Sequence, residues 1–467
     1  MDKILGIVIT DGVGFRNFVL SNFFNEASKQ FQKVIIYSGL PMNSYDEIEL
    51  KENISLIELD IYKEKNISWF FRKLKEVAHM YQHRTFYGIN NNLVRGYPKK
   101  NTKRGVLTKI IYKIASVLNS ENWINFYEKL QYYSFKQHKI TLGYKILLKK
   151  DKPNVLFFTH QRPPYIAPLL YAAKDQKIPT CSFIFSWDNL ASKGRMMGSF
   201  DSYLVWSDLM KKELLHFYPL VNKRSIEVVG TPQFEPYIMD SYLINKATFF
   251  NKFDLDKHKK TICYSCADAG IGANDSIHIK SILNYIHNTK LHNIQLLVRT
   301  SPAEDGLRFN ALKEAYPEIR WNLPKWTLSR EQHVESWSQR VPTREDLIDL
   351  KSILSYCDVN VNMCSTMGLD FMLFDKSVIN TVFGNESNGL YNDQRFLNYA
   401  HYKYVIESKA VTIAKNEKEL HKQLEEALKN PELRKDYRKS LIKFEISKPL
   451  EGTSKRIVEM LLKISNE

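Results

Sequence analysis

The sequence predicts an α/β protein built from two doubly wound parallel sheets, and three observations carry this prediction. Short continuous apolar runs, typical of strands buried on both faces, recur along the chain. Segments with helical spacing of apolar residues separate these runs, as the crossovers of a parallel sheet require. The chain has 467 residues, 44% of them hydrophobic and 25% charged, which is a globular composition. This length exceeds one ordinary core, and we expect roughly two to three domains.

The first domain is predicted over residues 1–245. Residues 4–10 form an apolar run that reads as a first strand, a glycine-bearing turn follows at 11–17, and Phe18, Leu20 and Phe23 recur at helical spacing. Further strands are predicted at 33–37, 54–59, 155–158, 180–185, 202–206 and 226–229, with helices at 167–174 and 208–217. Between about 66 and 150 aromatic and basic residues interleave at helical spacing, which predicts a helical insertion in this domain.

The second domain is predicted over residues 246–440, with the hinge into it at 251–260. Its strands are expected at 261–265, 294–299, 359–363 and 377–381, and its helices at 346–356 and 365–374. The tail from 418 to 462 reads as helical because Leu420, Leu424 and Leu428 lie four residues apart. We expect residues 441–467 to form a C-terminal helix that packs back on the first domain.

The basic charge is concentrated in the insertion. Lysine and arginine number 67 and aspartate and glutamate 51, so the formal charge is +16. No acidic residue lies between Arg95 and Lys113, a stretch with seven basic residues, and more lysines follow at 136–150. Such a surface suits a polyanionic partner, and basic residues among aromatics suit an anionic membrane surface, here through residues 95–150. The alternative is a solvated helical face.

The cysteines and the lengths of the apolar segments indicate where in the cell the protein is expected. Five cysteines at irregular spacing do not form a secreted disulfide framework, and the Cys263–Cys266 pair has no second pair to complete a metal site. No stretch reaches the roughly 18 apolar residues that span a bilayer, and the first apolar run is too short for a signal peptide. We therefore expect a cytoplasmic protein that contacts the inner face of the membrane.

The segment 357–370 carries the strongest candidate for an anion site. A predicted strand ends at Ser365 and Thr366, where a helix begins. The first N–H groups of a helix lack internal partners and its dipole is positive there, so a diphosphate fits. Asp370, one turn later, has the chemistry to accept hydrogen bonds from ribose hydroxyls. The alternative is an ordinary Ser/Thr N-cap.

A second candidate for donor contacts follows the strand at 294–299. Arg299 and Ser301 stand at the end where parallel strands bind ligands, and an arginine there can grip a phosphate with two N–H groups. Gly270 and Gly272 lie in the loop after the preceding strand and join this set. The alternative for Arg299 is a surface arginine before a turn.

Two candidates for a catalytic base follow strands of the first domain. Asp188 comes just past a strand, and a carboxylate there can take the proton of an attacking hydroxyl. Its neighbours Trp187, Asn189 and Lys193 are candidates for acceptor contacts, Trp187 as a face for sugar stacking. The alternative is a loop with an Asx turn. Asp11, which follows the first strand, is the second candidate base.

A histidine follows the strand at 155–158. His160 is a third, weaker base candidate, because a lone histidine at a strand end is more often a structural or substrate-contacting residue. We therefore group it with the acceptor contacts. The Asp11-Gly-Val-Gly14 turn is not a full dinucleotide-binding fingerprint.

These motifs together resemble the GT-B glycosyltransferase superfamily of bacterial surface-glycan pathways. The segments that carry the resemblance are Ile178-Pro-Thr-Cys-Ser-Phe-Ile-Phe-Ser-Trp-Asp-Asn-Leu-Ala-Ser-Lys-Gly194, Asp201-Ser-Tyr-Leu-Val-Trp-Ser207, Val228-Val-Gly-Thr-Pro-Gln-Phe234 and the 357–379 region. The CDP-glycerol glycerophosphotransferase-like group is the most similar. This resemblance implies two Rossmann-like domains that face a cleft.

The chain departs from that group at three positions. Trp187-Asp-Asn189 stands where the polyol-phosphate enzymes have a His-Gly pair, Arg299-Thr-Ser-Pro302 lacks a histidine before the proline, and Asp370 replaces a glutamate. The first two departures favour a sugar donor over glycerophosphate.

The resemblance implies transfer of a sugar from a nucleotide-sugar donor to a hydroxyl of a surface-glycan or lipid-linked acceptor. The helix start at Ser365 and Thr366, with Arg299, would stabilise the leaving diphosphate, so no metal or other cofactor is expected. Asp188 would deprotonate the acceptor. Polyol-phosphate transfer and epimerisation of a nucleotide sugar on the same architecture stay open, as does a module that binds without catalysis. Nucleic acid is not an expected partner, because no RRM, KH or zinc-finger signature is present.

Overall fold

Two compact units make up the chain. The computed structural model describes residues 3–62, 64–289, 293–333, 335–387, 389 and 392–466. Unit 1 comprises Met1–Glu235, Leu328–Val341 and Glu445–Glu467, and unit 2 comprises Pro236–Thr327 and Pro342–Phe444. The sequence placed the division after residue 245 and did not predict that residues 328–341 belong to the first unit.

Unit 1 is built on a parallel sheet whose described part has seven strands in the order β3-β2-β1-β4-β5-β6-β7. The strands are β1 Ile4–Ile9, β2 Lys33–Ser38, β3 Ile54–Glu58, β4 Val155–Phe158, β5 Thr180–Phe183, β6 Ser202–Val205 and β7 Ile226–Val228. Most of the central strands are buried along their whole length, which explains their continuous apolar runs. The chain winds outward in both directions from β1 and β4, so the switch point lies between these two strands.

The helices of unit 1 include the predicted insertion. Those before unit 2 are α1 Gly12–Gly14, α2 Phe23–Gln30, α3 Asn66–Gln82, α4 Tyr87–Arg95, α5 Lys103–Val117, α6 Glu121–Lys136, α7 Lys139–Asp151, α8 Ala167–Asp175, α9 Asn189–Ser192 and α10 Asp208–Phe217. A π-helical turn at Phe15–Val19 follows α1. Within the insertion, α3 packs against α4, α5 and α6.

Unit 2 is built on a second parallel sheet with six described strands in the order β10-β9-β8-β13-β14-β15. Its strands are β8 Lys260–Ser265, β9 Ile294–Arg299, β10 Arg320–Asn322, β13 Val359–Asn362, β14 Ser377–Thr381 and β15 Thr412–Ala414. A separate two-stranded pair, β11 Trp326–Leu328 and β12 Arg340–Pro342, falls at the two ends of the 328–341 segment. The order reverses between β8 and β13, which gives this sheet its own switch point. The predicted α/β fold class, with two doubly wound parallel sheets, is confirmed.

The remaining helices cover the second sheet and close the chain. They are α11 Lys246–Lys252, α12 Asp275–Asn288, α13 Asn310–Ala315, α14 Arg344–Tyr356, α15 Met367–Leu373, α16 Ala400–Glu407, α17 Glu417–Lys429, α18 Lys435–Ile446 and α19 Thr453–Ile464. The predicted tail is three helices and not one, because Pro431 and Pro449 cannot continue a helix. Leu420, Leu424 and Leu428 pack into the core of unit 2, whereas α19 packs against α2 of unit 1.

The core of unit 2 holds a histidine that should make it sensitive to acid. His278 on α12 is fully buried; its Nε2 lies 2.7 Å from the Phe383 carbonyl oxygen and Nδ1 lies 3.1 Å from Thr381 Oγ1. Burial lowers the pKa of His278 to about 4, although the Phe383 carbonyl opposes the shift. The unfolded imidazole titrates near 6.5, so below that pH the unfolded state binds the extra proton and stability falls as the pH falls.

We expect acidification from about pH 7 to about pH 5 to remove roughly 2 kcal/mol of unfolding free energy through His278. This loss should disappear in His278→Gln, when urea unfolding is measured at both pH values, and should persist in His287→Gln, because His287 is exposed on the same helix. An equal acid-dependent loss in both variants would contradict the assignment.

Candidate functional site

Two polar residues meet at the switch point of the first sheet. β1 and β4 are paired, with Val8 opposite Phe158, so the residues that follow them leave the sheet side by side. Asp11 and His160 are these residues, and Asp11 Oδ2 lies 2.8 Å from His160 Nδ1. The sequence singled out both residues but did not predict that they form a pair.

The Asp11 carboxylate is saturated with hydrogen bonds. It is fully buried and accepts from Val13 N at 3.0 Å, from Gly14 N at 2.8 Å and from Thr10 Oγ1 at 2.7 Å, besides His160. Burial would raise the pKa of Asp11, but the adjacent His160 and these donors hold it below the ordinary value. Its bond to Nδ1 gives Asp11 the position of a group that orients His160, and its own role as a base stays a prediction.

His160 is positioned like a general base whose imidazole ring is oriented by a carboxylate. The ionised Asp11 accepts the Nδ1 proton, and a neutral imidazole held in this way carries its lone pair on Nε2. The imidazole stacks on Phe185 with ring centroids 3.9 Å apart and 12° between the planes, and Trp337 approaches its edge at 6.4 Å. Within the described residues no hydrogen bond to Nε2 is present, and the side chain is 4% exposed. A buried, oriented imidazole of this kind can take a proton from a hydroxyl.

The segment 328–341, which belongs to unit 1, lies against this strand end. The Arg340 carbonyl oxygen approaches Gly12 so closely that an added Cβ would lie 1.6 Å from it. Gln339 Nε2 contacts the Gly39 carbonyl at 3.4 Å, and His333 packs edge-on against Tyr165 with centroids 4.9 Å apart. Glycine at position 12 is therefore required by close approach of another backbone. No pattern in the sequence predicts the contact between Gly12 and Arg340, because the two residues are more than 300 positions apart.

Asp188 sits in a hydrogen-bonded loop of unit 1. Its Oδ1 accepts from Ser186 Oγ at 2.7 Å and from Asn189 Nδ2 at 3.2 Å, and Lys193 Nζ lies 3.6 Å from Oδ2. Asp188 also precedes the short helix α9. This arrangement is a local turn of the kind that Asx residues form, and the catalytic role of Asp188 stays a prediction.

The neighbours of Asp188 differ in what they offer an acceptor. Asn189 Oδ1 accepts from Gln161 Nε2 at 3.2 Å, which ties the loop to the residue after His160. Trp187 is 5% exposed, close to the 4% of His160, and its role as a face for sugar stacking stays a prediction. Lys193 is the most exposed of the three. The structure thus connects Asn189 to the His160 strand end.

The switch point of the second sheet carries Ser365 and Thr366. They follow β13, whose Val361 pairs with Tyr264 of β8, and α15 begins one residue after Thr366. Ser365 Oγ accepts from Met367 N at 3.3 Å, which is a capping contact. Both residues are half-buried, and their phosphate-binding role stays a prediction.

A ladder of buried asparagines supports this turn, and the sequence interpretation missed it. Asn362 Oδ1 accepts from Ser365 N at 2.9 Å and from Asn380 Nδ2 at 3.0 Å, and Asn362 Nδ2 donates to Asn360 Oδ1 at 2.6 Å. Asn360 and Asn362 share one face of β13. A signal was present, because asparagine is depleted in strands and two alternate along this one.

Asp370 and Arg299 are both engaged with protein partners. Asp370 accepts a hydrogen bond from Tyr237 Oη. The Arg299 guanidinium donates to both carboxylate oxygens of Asp346 at 3.0 Å and to the Asn322 side chain, and it is 5% exposed. Arg299 is therefore not a surface arginine before a turn. Its Nη1 and Nη2 groups already have protein partners, and its phosphate-binding role stays a prediction.

The other predicted donor contacts lie in the loops after β8 and β9. Ser301 Oγ donates to Asp268, and the backbone around Gly272 is held by Arg308, which donates to the Gly272 carbonyl at 2.7 Å. A Cβ at Gly272 would lie 2.3 Å from the Asp275 carboxylate, whereas Gly270 faces open space. Burial raises the pKa of Asp275 to about 6, opposed by the Tyr264 hydroxyl and Arg308.

Two kinds of feature are absent from the described residues. No group of three or more histidine, cysteine or acidic side chains there is arranged to hold a metal ion. No helix in the same part of the chain is long and apolar enough to cross a membrane. The expected absence of a metal requirement stays a prediction.

Solved structures share this architecture although the sequences have diverged. No protein family model matches the chain, and no curated protein is similar to it in sequence. The UDP-GlcNAc 2-epimerase of Neisseria meningitidis bound to UDP-GlcNAc has a TM-score of 0.50 at 13% identity, with 99% of this chain and 100% of that chain covered. A putative UDP-N-acetylglucosamine 2-epimerase of Listeria monocytogenes has a TM-score of 0.53 at 11% identity, with 98% and 94% covered. The wall teichoic acid polymerase TagF has a TM-score of 0.50 at 10% identity, with 100% and 89% covered.

These similarities establish the fold of the chain. Two parallel-sheet Rossmann-like units with flanking helices make up the GT-B fold, which the similar structures share. At identities of this size the similarity extends to the fold alone.

Proposed function

We propose that this protein is a glycosyltransferase that moves a sugar from a nucleotide-sugar donor to a hydroxyl of a surface-glycan or lipid-linked acceptor. The observation that supports it is the Asp11–His160 pair at the switch point of the first sheet, 2.8 Å apart, buried and oriented through Nδ1. Ligands bind α/β sheets outside the carboxyl ends of the strands at such points. Enzymes with this fold include ones that bind UDP-GlcNAc, which agrees with a nucleotide-sugar donor.

The donor side of the proposal rests on unit 2. The turn at Ser365 and Thr366 stands at the second switch point, and the Asn360–Asn362–Asn380 ladder fixes its backbone. We expect the start of α15 and the two hydroxyls to face the diphosphate, and the positive end of the helix to stabilise the charge that develops on it. Arg299 is left out of this set because Asp346 holds it.

The acceptor side rests on unit 1. His160 Nε2 takes the acceptor hydroxyl proton, the acceptor oxygen forms a bond to the anomeric carbon, and the bond from that carbon to the diphosphate oxygen breaks. The nucleoside diphosphate leaves with the electron pair. Asp11 stabilises the imidazolium that forms. Asp188 remains the competing base, because its carboxylate is partly exposed and is tied through Asn189 to Gln161.

Epimerisation of a nucleotide sugar is the second candidate function. The fold is shared by two UDP-GlcNAc 2-epimerases and by the wall teichoic acid polymerase TagF, so polyol-phosphate transfer stays open beside it. Transfer and epimerisation differ in what they consume. An epimerase converts the nucleotide sugar without a separate acceptor, whereas a transferase releases nucleoside diphosphate only when an acceptor is present or slowly with water.

The test is a thermal-shift screen with UDP, GDP, CMP and CDP, followed by turnover assays with the matching nucleotide sugars. A nucleotide at about 100 times its dissociation constant should add about 2.7 kcal/mol of stability. We expect nucleoside diphosphate release that accelerates on addition of a glycan or lipid-linked acceptor. Conversion of the sugar without acceptor would replace the proposal by the epimerase, and no stabilisation by any nucleotide would overturn both.

A further inference from the structure

One surface of the insertion carries both cations and large apolar side chains toward solvent. On α5 the exposed residues Lys103, Val106, Ile110, Lys113 and Val117 are spaced three and four apart, so they fall within about 80° around the helix. Val106, Ile110 and Val117 are 46%, 47% and 77% exposed. We call these five residues the basic–apolar face.

The opposite side of α5 is the one that packs into unit 1. Its buried residues are Gly105, Thr108, Ile111, Tyr112 and Ala115. Tyr112 Oη donates to the Leu93 carbonyl at 2.8 Å, and α5 packs along α3. The helix is therefore packed against the unit by one side, and the basic–apolar face is exposed on the other.

The next helix of the insertion also exposes aromatic side chains. Trp123 and Phe126 of α6 are 40% and 46% exposed, with ring centroids 5.7 Å apart. Tyr127 Oη of the same helix donates to the carbonyl of Leu118, the residue after α5. Within the described residues, Lys99, Lys100, Lys103 and Lys113 form no ion pair, and no acidic side chain lies between Arg95 and Lys113.

We propose that the basic–apolar face docks on an anionic lipid surface. Lysines beside such a surface gain attraction to headgroups, and the apolar residues between them and the aromatic rings beside them insert at the interface. A nucleic acid would use the cations but offers nothing to Val106, Ile110 and Val117, so lipid fits the whole face. The inference does not depend on the transfer reaction; it names where the chain would meet a lipid-linked acceptor.

The test is cosedimentation of the full chain with vesicles of mixed phosphatidylglycerol and phosphatidylcholine, and with phosphatidylcholine alone. We expect binding to the anionic vesicles that weakens with salt. The double variant Lys103→Gln, Lys113→Gln should bind about 30-fold more weakly. The triple variant Val106→Ser, Ile110→Ser, Val117→Ser should lose at least about 10-fold, and serine has a helix propensity close to that of valine.

Matched control variants distinguish an effect of the basic–apolar face from an effect of net charge or of exposed apolar area elsewhere. Lys257→Gln with Lys259→Gln makes the same change in net charge on unit 2, and Leu220→Ser removes another exposed apolar side chain. Both controls should bind vesicles as the wild type does. As a second measurement, brominated lipids should quench tryptophan fluorescence less in Trp123→Phe.

Three outcomes would overturn the proposal. They are equal binding by the face variants and the wild type, equal losses in the controls, and binding to RNA with none to vesicles. Nucleotide-sugar turnover is measured separately without vesicles, so failure of the docking proposal is distinct from failure of the proposed function.

Discussion

Replacing His160 with glutamine should lower the rate of sugar transfer about 10²- to 10⁴-fold and leave nucleotide binding unchanged, because a general base contributes this much and glutamine cannot take a proton. Glutamine keeps the size and polarity of the side chain that stacks on Phe185. The measurement is kcat with a saturating donor and acceptor, together with the Kd of the nucleotide. His258→Gln, at an exposed position of unit 2, is the control and should turn over normally.

The partner residues sharpen this experiment. Asp11→Asn should lower kcat and leave KM unchanged, because the imidazolium that forms in the transition state loses the carboxylate that stabilises it. A purely structural Asp11 would lower the free energy of unfolding and change KM as well. Asp188→Asn tests the competing base. If Asp188→Asn loses transfer while His160→Gln keeps it, the base is Asp188 and the assignment of His160 is wrong.

The second large effect concerns Arg299. Asp346→Ala should cost about 3–5 kcal/mol of unfolding free energy, because it leaves a buried guanidinium without its carboxylate. Asp346 also accepts from Trp326 Nε1 at 2.9 Å and from Lys325 N at 3.1 Å, so the loss spreads to the chain before β11. Urea unfolding measures the change. Should this variant not fold, Asp346→Asn provides the milder case, with a smaller loss in the same direction.

The control for this pair is an exposed pair in the same unit. Arg320 and Asp254 lie 2.6 Å apart with the Asp254 side chain 85% exposed, so Asp254→Asn should change stability by less than about 1 kcal/mol. Nucleotide affinity decides between the two roles of Arg299. A structural pair predicts that folded Asp346→Asn binds nucleotide as the wild type does. If Asp346→Asn loses much nucleotide affinity but little unfolding free energy, Arg299 contributes to donor binding.

The regular elements were predictable where burial imposes a pattern. Strands β1, β4 and β9 were placed at or within one residue of their ends, because a strand covered by helices on both faces must be apolar throughout. Strands β10, β11, β12 and β15 were missed. Each has three residues, so little pattern can emerge; β7 is as short, but its run continues through Val229 to the turn residues Gly230-Thr-Pro232.

The sequence predicted which residues belong to the candidate site, but not which side chains they contact. Asp11, His160, Ser365 and Thr366 were singled out because they follow strands, and the sheets bring each set to a switch point. Arg299 ends a strand by the same rule, but its carboxylate partner comes from α14, 47 residues further along the chain. Spacing along a chain does not reveal which long-range partner a charge will find.

The sequence alone determined the two parallel sheets, the basic insertion and the residues at the strand ends, because hydrophobic burial and backbone geometry act over short stretches and leave local patterns. Only the tertiary structure decided that Asp11 is enclosed and hydrogen-bonded to His160, that Arg299 is paired with Asp346, and that the Arg340 backbone lies against Gly12. These facts depend on contacts between segments far apart in the chain. The strength of a buried charge or hydrogen bond depends on the partner at a few ångströms, which no local pattern encodes.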